Sequence, residues 1–166
     1  KLGLFRPSFC LNRILFIIMK WKEIEKMKGG NCMVNLFEYN VKTHHKQELI
    51  NIDHYLNEAL EKSQVEEGIM VVYCPHTTAG ITINENADPD VKKNLNAALN
   101  DTFPNHEYFI HREGNSDGHM KSAVIGASET LIISEGRMVF GTWQSVYFAE
   151  FDGPRSRTVY VKIIGG

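Results

Sequence analysis

The run Ile69-Met70-Val71-Val72-Tyr73-Cys74 holds six uncharged residues, rich in β-branched and aromatic side chains, and it stops at Pro75. Such a run reads as a buried central strand, and proline ends it because it has no N–H to give to a ladder. A central strand needs neighbours, and the chain supplies them. Leu36–Val41 alternates as an opening strand, Glu48–Ile52 offers a second short one, and Ile81–Asn84 follows Pro75. Beyond Thr130 come Leu131–Ser134, Arg137–Gly141, Ser145–Phe151 and Thr158–Ile164, punctuated by Glu135-Gly136 and Asp152-Gly153-Pro154.

Helical periodicity is confined to two main segments. Asp53–Lys62 places Tyr55, Leu56, Ala59 and Leu60 on one face. Asp88-Pro89-Asp90 is a helix start, with Asp88 as N-cap and Pro89 in the first turn, and Val91, Leu95, Ala98 and Leu99 form the stripe of a helix ending near Asp101–Pro104. His119–Ile125 predicts one or two further helical turns. The expected class is α+β, with a sheet-rich β-sandwich or barrel-like core and two main helices.

Residues 1–32 differ in kind from the rest. They hold two of the three cysteines and seven Lys/Arg against two Asp/Glu. Lys28-Gly29-Gly30 can be encoded by AAR-GGN-GGN, which includes the bacterial ribosome-binding sequence AAAGGAGG, and Met33 follows at suitable spacing. Residues 1–32 are therefore expected to be translated upstream sequence, with the domain spanning 33–166. The alternative is a genuine extension, disordered or docked as a helix. The apolar run Ile14–Met19 is too short for a secretory signal or a membrane span.

Residues 33–166 carry eleven Lys/Arg against eighteen Asp/Glu. Such a surface argues against nucleic-acid binding through basic patches. Only Cys74 remains in this part, so no internal disulfide can form, and a reducing, cytoplasmic location is expected.

Chemistry concentrates in two polar segments. His76 follows Pro75 and precedes Thr77-Thr78-Ala79-Gly80, while His111 and His119 bracket Arg112-Glu113-Gly114-Asn115-Ser116-Asp117-Gly118. The stretch Asn105–Gly118 is long and polar, of the kind that often carries function. Imidazoles beside Glu113 and Asp117 suit an open metal site or a general acid–base site. His44, His45, His54 and His106 read as ordinary surface or core residues. Cys74 and His76 share a face of an extended chain, yet a buried apolar thiol is the favoured reading of Cys74. Asn84, Glu85 and Asn86 suit capping of the Asp88 helix, and Trp143 suits a core or subunit contact.

Three stretches together resemble the YjbQ family, also called UPF0047: His76 to Val91, Gly118-His119-Met120-Lys121-Ser122-Ala123, and Gly141-Thr142-Trp143-Gln144. The likeness covers 33–166 and none of 1–32. It implies a sheet-rich α+β fold, a homotrimer, a site containing His76, His111 and His119, and a secondary thiamine-phosphate synthase activity. On that basis the three histidines are the expected metal ligands. Zn²⁺ suits three imidazoles, and Mg²⁺ would suit a diphosphate substrate. Asp117 and Glu113 are the expected catalytic proton carriers. Thr77, Thr78, Asn84, Arg112, Lys121 and Gln144 are the expected contacts to a small phosphorylated metabolite. The alternative is a small-molecule or metal-binding protein without catalysis.

Overall fold

The computed structural model describes residues 35–166, so the expectation about residues 1–32 lies outside the described residues. In chain order the elements are β1 (Asn35–Lys42), β2 (Glu48–Asn51), α1 (Asp53–Ser63), β3 (Gly68–Tyr73), β4 (Ala79–Glu85), α2 (Pro89–Thr102), α3 (Ser116–Ile125), β5 (Ser128–Ser134), β6 (Arg137–Met138), β7 (Gln144–Glu150) and β8 (Ser156–Gly165). The strands form a five-stranded sheet in the order β1-β8-β3-β5-β6 and a three-stranded sheet in the order β2-β7-β4, with every pairing antiparallel. The fold is mixed α+β.

β3 is central, between β8 and β5, but it is covered on one face only. Met70 and Val72 are fully buried, while Ile69 and Tyr73 are 40% and 46% exposed. Unbroken burial falls instead on β7, where Ser145 to Glu150 are all buried. In β8 the inward positions are Arg157, Val159, Val161 and Ile163, at the period of two that a pleated strand imposes. The β5–β6 connection is Glu135-Gly136, both at positive φ (52° and 69°), as a two-residue hairpin turn requires.

α1 packs Leu56, Ala59 and Leu60 into the core, and Asp53 Oδ1 accepts the Val146 N–H at 2.8 Å, tying the start of the helix to β7. Truncating a buried leucine such as Leu56 to alanine typically costs about 2–5 kcal/mol. α2 starts as its sequence predicts, with Asp88 Oδ1 accepting the Asp90 N–H at 2.8 Å. Of its stripe, however, Val91, Leu95 and Leu99 are only half-buried and Ala98 is exposed, and no residue of α2 is fully buried.

The expectation of two main helices is corrected by α3, which has ten residues and begins at Ser116 rather than His119. Periodicity does not reveal it, because the residues it buries are Ser116, Asp117, Gly118, Lys121 and Ser122. Its C-terminal end lies on β4, where the Ile81 N–H donates to Gly126 O at 3.0 Å. Gly80 permits that approach: a Cβ there would sit 2.6 Å from Gly126 O. No helix among the described residues is long and apolar enough to cross a membrane.

Candidate functional site

The first turn of α3 holds a charged pair away from water. Lys121 Nζ donates to Asp117 Oδ2 at 3.0 Å and to Asn100 Oδ1 at 2.7 Å, and Lys46 Nζ lies 3.4 Å from the same Asp117 oxygen. Asp117 and Lys121 are buried, 4% and 2% exposed, one helical turn apart. Burial pushes the Asp117 carboxyl up, but the hydrogen bond and charge of Lys121, with Lys46, more than offset it and leave it below its ordinary value. Asp117 is therefore ionised at neutral pH. Beside it, Asn115 Nδ2 donates to Asp152 Oδ2 at 2.9 Å and more weakly to Glu113 Oε2 at 3.4 Å. Asp117 Oδ1 and Asn115 Oδ1 are buried without a hydrogen-bond partner among the described residues.

His111 and His119 pack against each other, ring centroids 5.2 Å apart and edge to face. His119 is half-buried on α3, while His111, Arg112 and Glu113 are exposed in the preceding loop.

A second buried pair sits where β7 turns into β8. Arg157 Nε donates to Glu150 Oε2 at 2.7 Å and Nη2 to Glu150 Oε1 at 2.5 Å, with Glu150 fully buried. The remaining Glu150 acceptor capacity is met by the Thr43 hydroxyl at 3.2 Å and by the N–H groups of Phe151 and Asp152 at 3.0 and 2.9 Å. Arg157 also donates to Thr78 Oγ1 at 2.9 Å. His76 stands beside this pair, its Nε2 accepting the Thr158 N–H at 2.8 Å. Burial, then the Arg157 guanidinium, push the His76 pKa below its ordinary value, with Glu150 opposing. The ring is therefore neutral, with its proton on Nδ1, because Nε2 must accept.

The two pairs adjoin. The Phe151 N–H donates to Thr78 O at 3.1 Å, and Gly118 packs so closely that a Cβ there would lie 3.1 Å from Phe151 O and 3.5 Å from Thr78. Thr78 is thus shared structure between the Arg157 pair and α3, while Thr77 is exposed.

Asn84 and Gln144 stand at the other end of a ladder from Thr78. In the β4–β7 ladder Ala79 pairs with Glu150 at one end and Glu85 with Gln144 at the other. Six residue steps of strand separate the ends by about 20 Å. Asn84 Oδ1 accepts the Glu85 N–H at 2.8 Å, and Gln144 Oε1 accepts the Gly141 N–H at 2.8 Å.

Of the three expected metal ligands, His76 is engaged in a hydrogen bond within the chain. Nε2 of His76 is occupied by a donor and Nδ1 carries the ring proton, so neither nitrogen offers a free lone pair. Among the described residues no group of three His, Cys, Asp or Glu side chains is disposed to hold a metal ion. Cys74 is no better as a nucleophile: burial pushes its thiol up to about 11.

Glu150, Arg157, Asn115, Asp152, Lys46 and Asn100 complete this region without having been singled out from the sequence. Two left a signal there: Glu150 is a lone acid inside an apolar strand, and Arg157 has the parity of the inward Val159, Val161 and Ile163.

Residues 37–166 match the family model described as UPF0047 protein YjbQ-like. The UPF0047 protein MJ1081 of the archaeon Methanocaldococcus jannaschii is 54% identical over 130 residues, covering 78% of this chain and 94% of that protein. The UPF0047 protein YugU of Bacillus subtilis is 49% identical over 126 residues, covering 75% and 96%. A crystal structure of an uncharacterized conserved protein of the yjbq/upf0047 family from Clostridium acetobutylicum has a TM-score of 0.76 at 49% identity, covering 77% of this chain and 99% of that one.

Proposed function

The chain belongs to the YjbQ-like UPF0047 family, and on that premise we propose that it is an enzyme of phosphorylated heterocycles whose first reaction to test is secondary thiamine-phosphate synthesis. The observation that carries the reading is the His111–His119 ring pair, with His119 on the helix whose first turn Asp117 and Lys121 brace. Two imidazoles held by a rigid turn can orient a substrate and stabilise charge as it forms. In the proposed step the thiazole nitrogen lone pair forms a bond to the exocyclic CH₂ of the pyrimidine diphosphate. The C–O bond to diphosphate breaks, and diphosphate leaves with the electron pair.

The developing negative charge is met by the imidazole N–H groups of His111 and His119 and by Arg112. Asp117 serves as a positioning residue, because its charge is committed to Lys121. Glu113, exposed beside Asn115, is the carboxylate placed to exchange protons with solvent or substrate.

The reading includes a homotrimer in the cytoplasm. What supports an assembly is the outer face of the five-stranded sheet, where Leu36, Ile69, Tyr73, Ile132 and Ile164 are 40–61% exposed. Sedimentation at micromolar concentration tests it, and a monomer would count against it.

The assay is pyrophosphate release from the pyrimidine diphosphate and thiazole phosphate, with His119→Ala and His111→Ala compared at unchanged circular dichroism. Loss of a group that assists the departing charge is expected to lower the rate by roughly 10²-fold or more. An unchanged rate in both variants would remove the histidine pair from the reaction. Ligand uptake with no turnover in the wild type would favour the non-catalytic alternative.

A further inference from the structure

We propose that a groove at the far end of the β4–β7 ladder binds a planar organic cation, at a site separate from the histidine-bearing turn. The groove has a volume of 450 Å³ and is formed by Ile83, Asn84 and Glu85 on one side and the turn Gly141–Gln144 on the other. That size suits a small-molecule ligand, for which pockets of roughly 300–1,000 Å³ are usual.

Trp143, in this turn, is 65% exposed. Exposure of so large an apolar ring is costly unless something covers it. The turn that carries it is braced rather than loose. Trp143 O accepts the Asn86 N–H at 2.8 Å, the Gln144 N–H donates to Gly141 O at 3.0 Å, and the Gln144 side chain caps the Gly141 N–H. The opposite wall is braced as well, since the Tyr147 hydroxyl donates to Asn86 Oδ1 at 2.6 Å and lies 3.1 Å from Glu85 O. An indole held out on fixed backbone is preorganised for stacking.

The sign of the ligand's charge follows from Glu85. Its side chain is half-buried and makes no ion pair among the described residues. The nearby cation Lys92 lies over the Tyr147 ring, 5.6 Å from its centroid. An anion would be repelled by this carboxylate, and a neutral ring would cover the indole but leave the carboxylate unpaired in a drier site. A planar ring with a fixed positive charge stacks on Trp143 by cation–π attraction and pairs with Glu85 at once.

The probe pair is 1-methylnicotinamide and nicotinamide, nearly the same ring with and without the charge, titrated into the full chain. Binding is read from the indole N–H resonance of Trp143, identified by its loss in Trp143→Phe. The cation is expected to shift that resonance saturably and to bind at least tenfold more tightly than the neutral ring. Glu85→Gln, of equal size, is expected to abolish the difference, and His119→Ala is expected to leave it intact. A neutral ring that binds as well as the cation would overturn the proposal, as would a shift that does not saturate or a Glu85→Gln protein with wild-type preference. Loss of binding in His119→Ala would overturn the separateness of the site. The pyrophosphate assay on the histidine variants is unaffected by any of these outcomes.

Discussion

Arg157 grips Glu150 with two parallel hydrogen bonds, Nε to Oε2 and Nη2 to Oε1, while Glu150 is wholly removed from solvent and Arg157 is 7% exposed. This fork-to-fork geometry is available to arginine and not to lysine. Breaking a buried pair by removing one member leaves an uncompensated charge, which typically costs about 3–5 kcal/mol. Arg157→Met is expected to destabilise in that range by urea unfolding, and Arg157→Lys to destabilise as well. The double variant Arg157→Met/Glu150→Gln should recover part of the loss. If Arg157→Met unfolds at the wild-type urea concentration, the pair is not a structural anchor.

Asp117 and Lys121 form the second buried pair, and their acid response has a definite sign. The folded Asp117 pKa lies below its unfolded value of 3.8, so its contribution is fully present above that value and is lost as pH falls through the folded pKa. Lys121→Met removes the partner that lowers it. The variant is expected to be less stable at pH 7 and to lose less of its remaining stability between pH 4 and lower pH, measured by chemical unfolding across that range. A variant whose acid slope equals that of the wild type would contradict the assignment.

For His76 the sign is the same, in a higher pH window. Its folded pKa is depressed from 6.5, so protonation penalises the folded state, and stability falls as pH drops from about 6.5 through the folded value. His76→Asn, which can still accept the Thr158 N–H, is expected to flatten that slope. Unfolding midpoints at pH 7 and pH 5.5 decide it, and equal slopes for the two proteins would refute it.

Zinc uptake separates the metal reading from the hydrogen-bonding one. Because Nε2 of His76 is engaged by Thr158, His76→Ala is expected to bind as much Zn²⁺ in equilibrium dialysis as the wild type does. Stoichiometric zinc lost specifically in His76→Ala would restore His76 as a ligand.

Cys74 is 1% exposed, and its thiol is held mostly protonated at neutral pH. Alkylation followed by peptide mapping should find it labelled only after denaturation. Rapid labelling in the native protein would show an accessible thiolate.

Local patterns carried the strands and two of the helices. The β-branched run before Pro75, the alternation of β8 and the Asp88-Pro89 start are each set by residues adjacent in sequence, so they are legible without tertiary context. α3 was legible only from His119 on, and its first turn was not, because its buried face is polar: what holds Asp117 and Lys121 in the interior is Asn100, Lys46 and each other, two of them distant in sequence. The motifs brought His76, His111 and His119 to notice together, but adjacency within a motif said nothing of which end of β4 a residue occupies. Thr78 and Asn84 are only six residues apart, yet the antiparallel ladder with β7 sends one to Glu150 and Arg157 and the other to Trp143 and Gln144.

The sequence by itself determined the family, the strand content and the polar loop that carries the histidines, because each is written in short runs of residue type. Only the tertiary structure decided that His76 spends its ring nitrogen on Thr158, that Arg157 and Glu150 are partners, and that the polar residues divide between two ends of a ladder. Those facts depend on strand register, which brings together residues far apart in the chain and separates neighbours by the length of a strand.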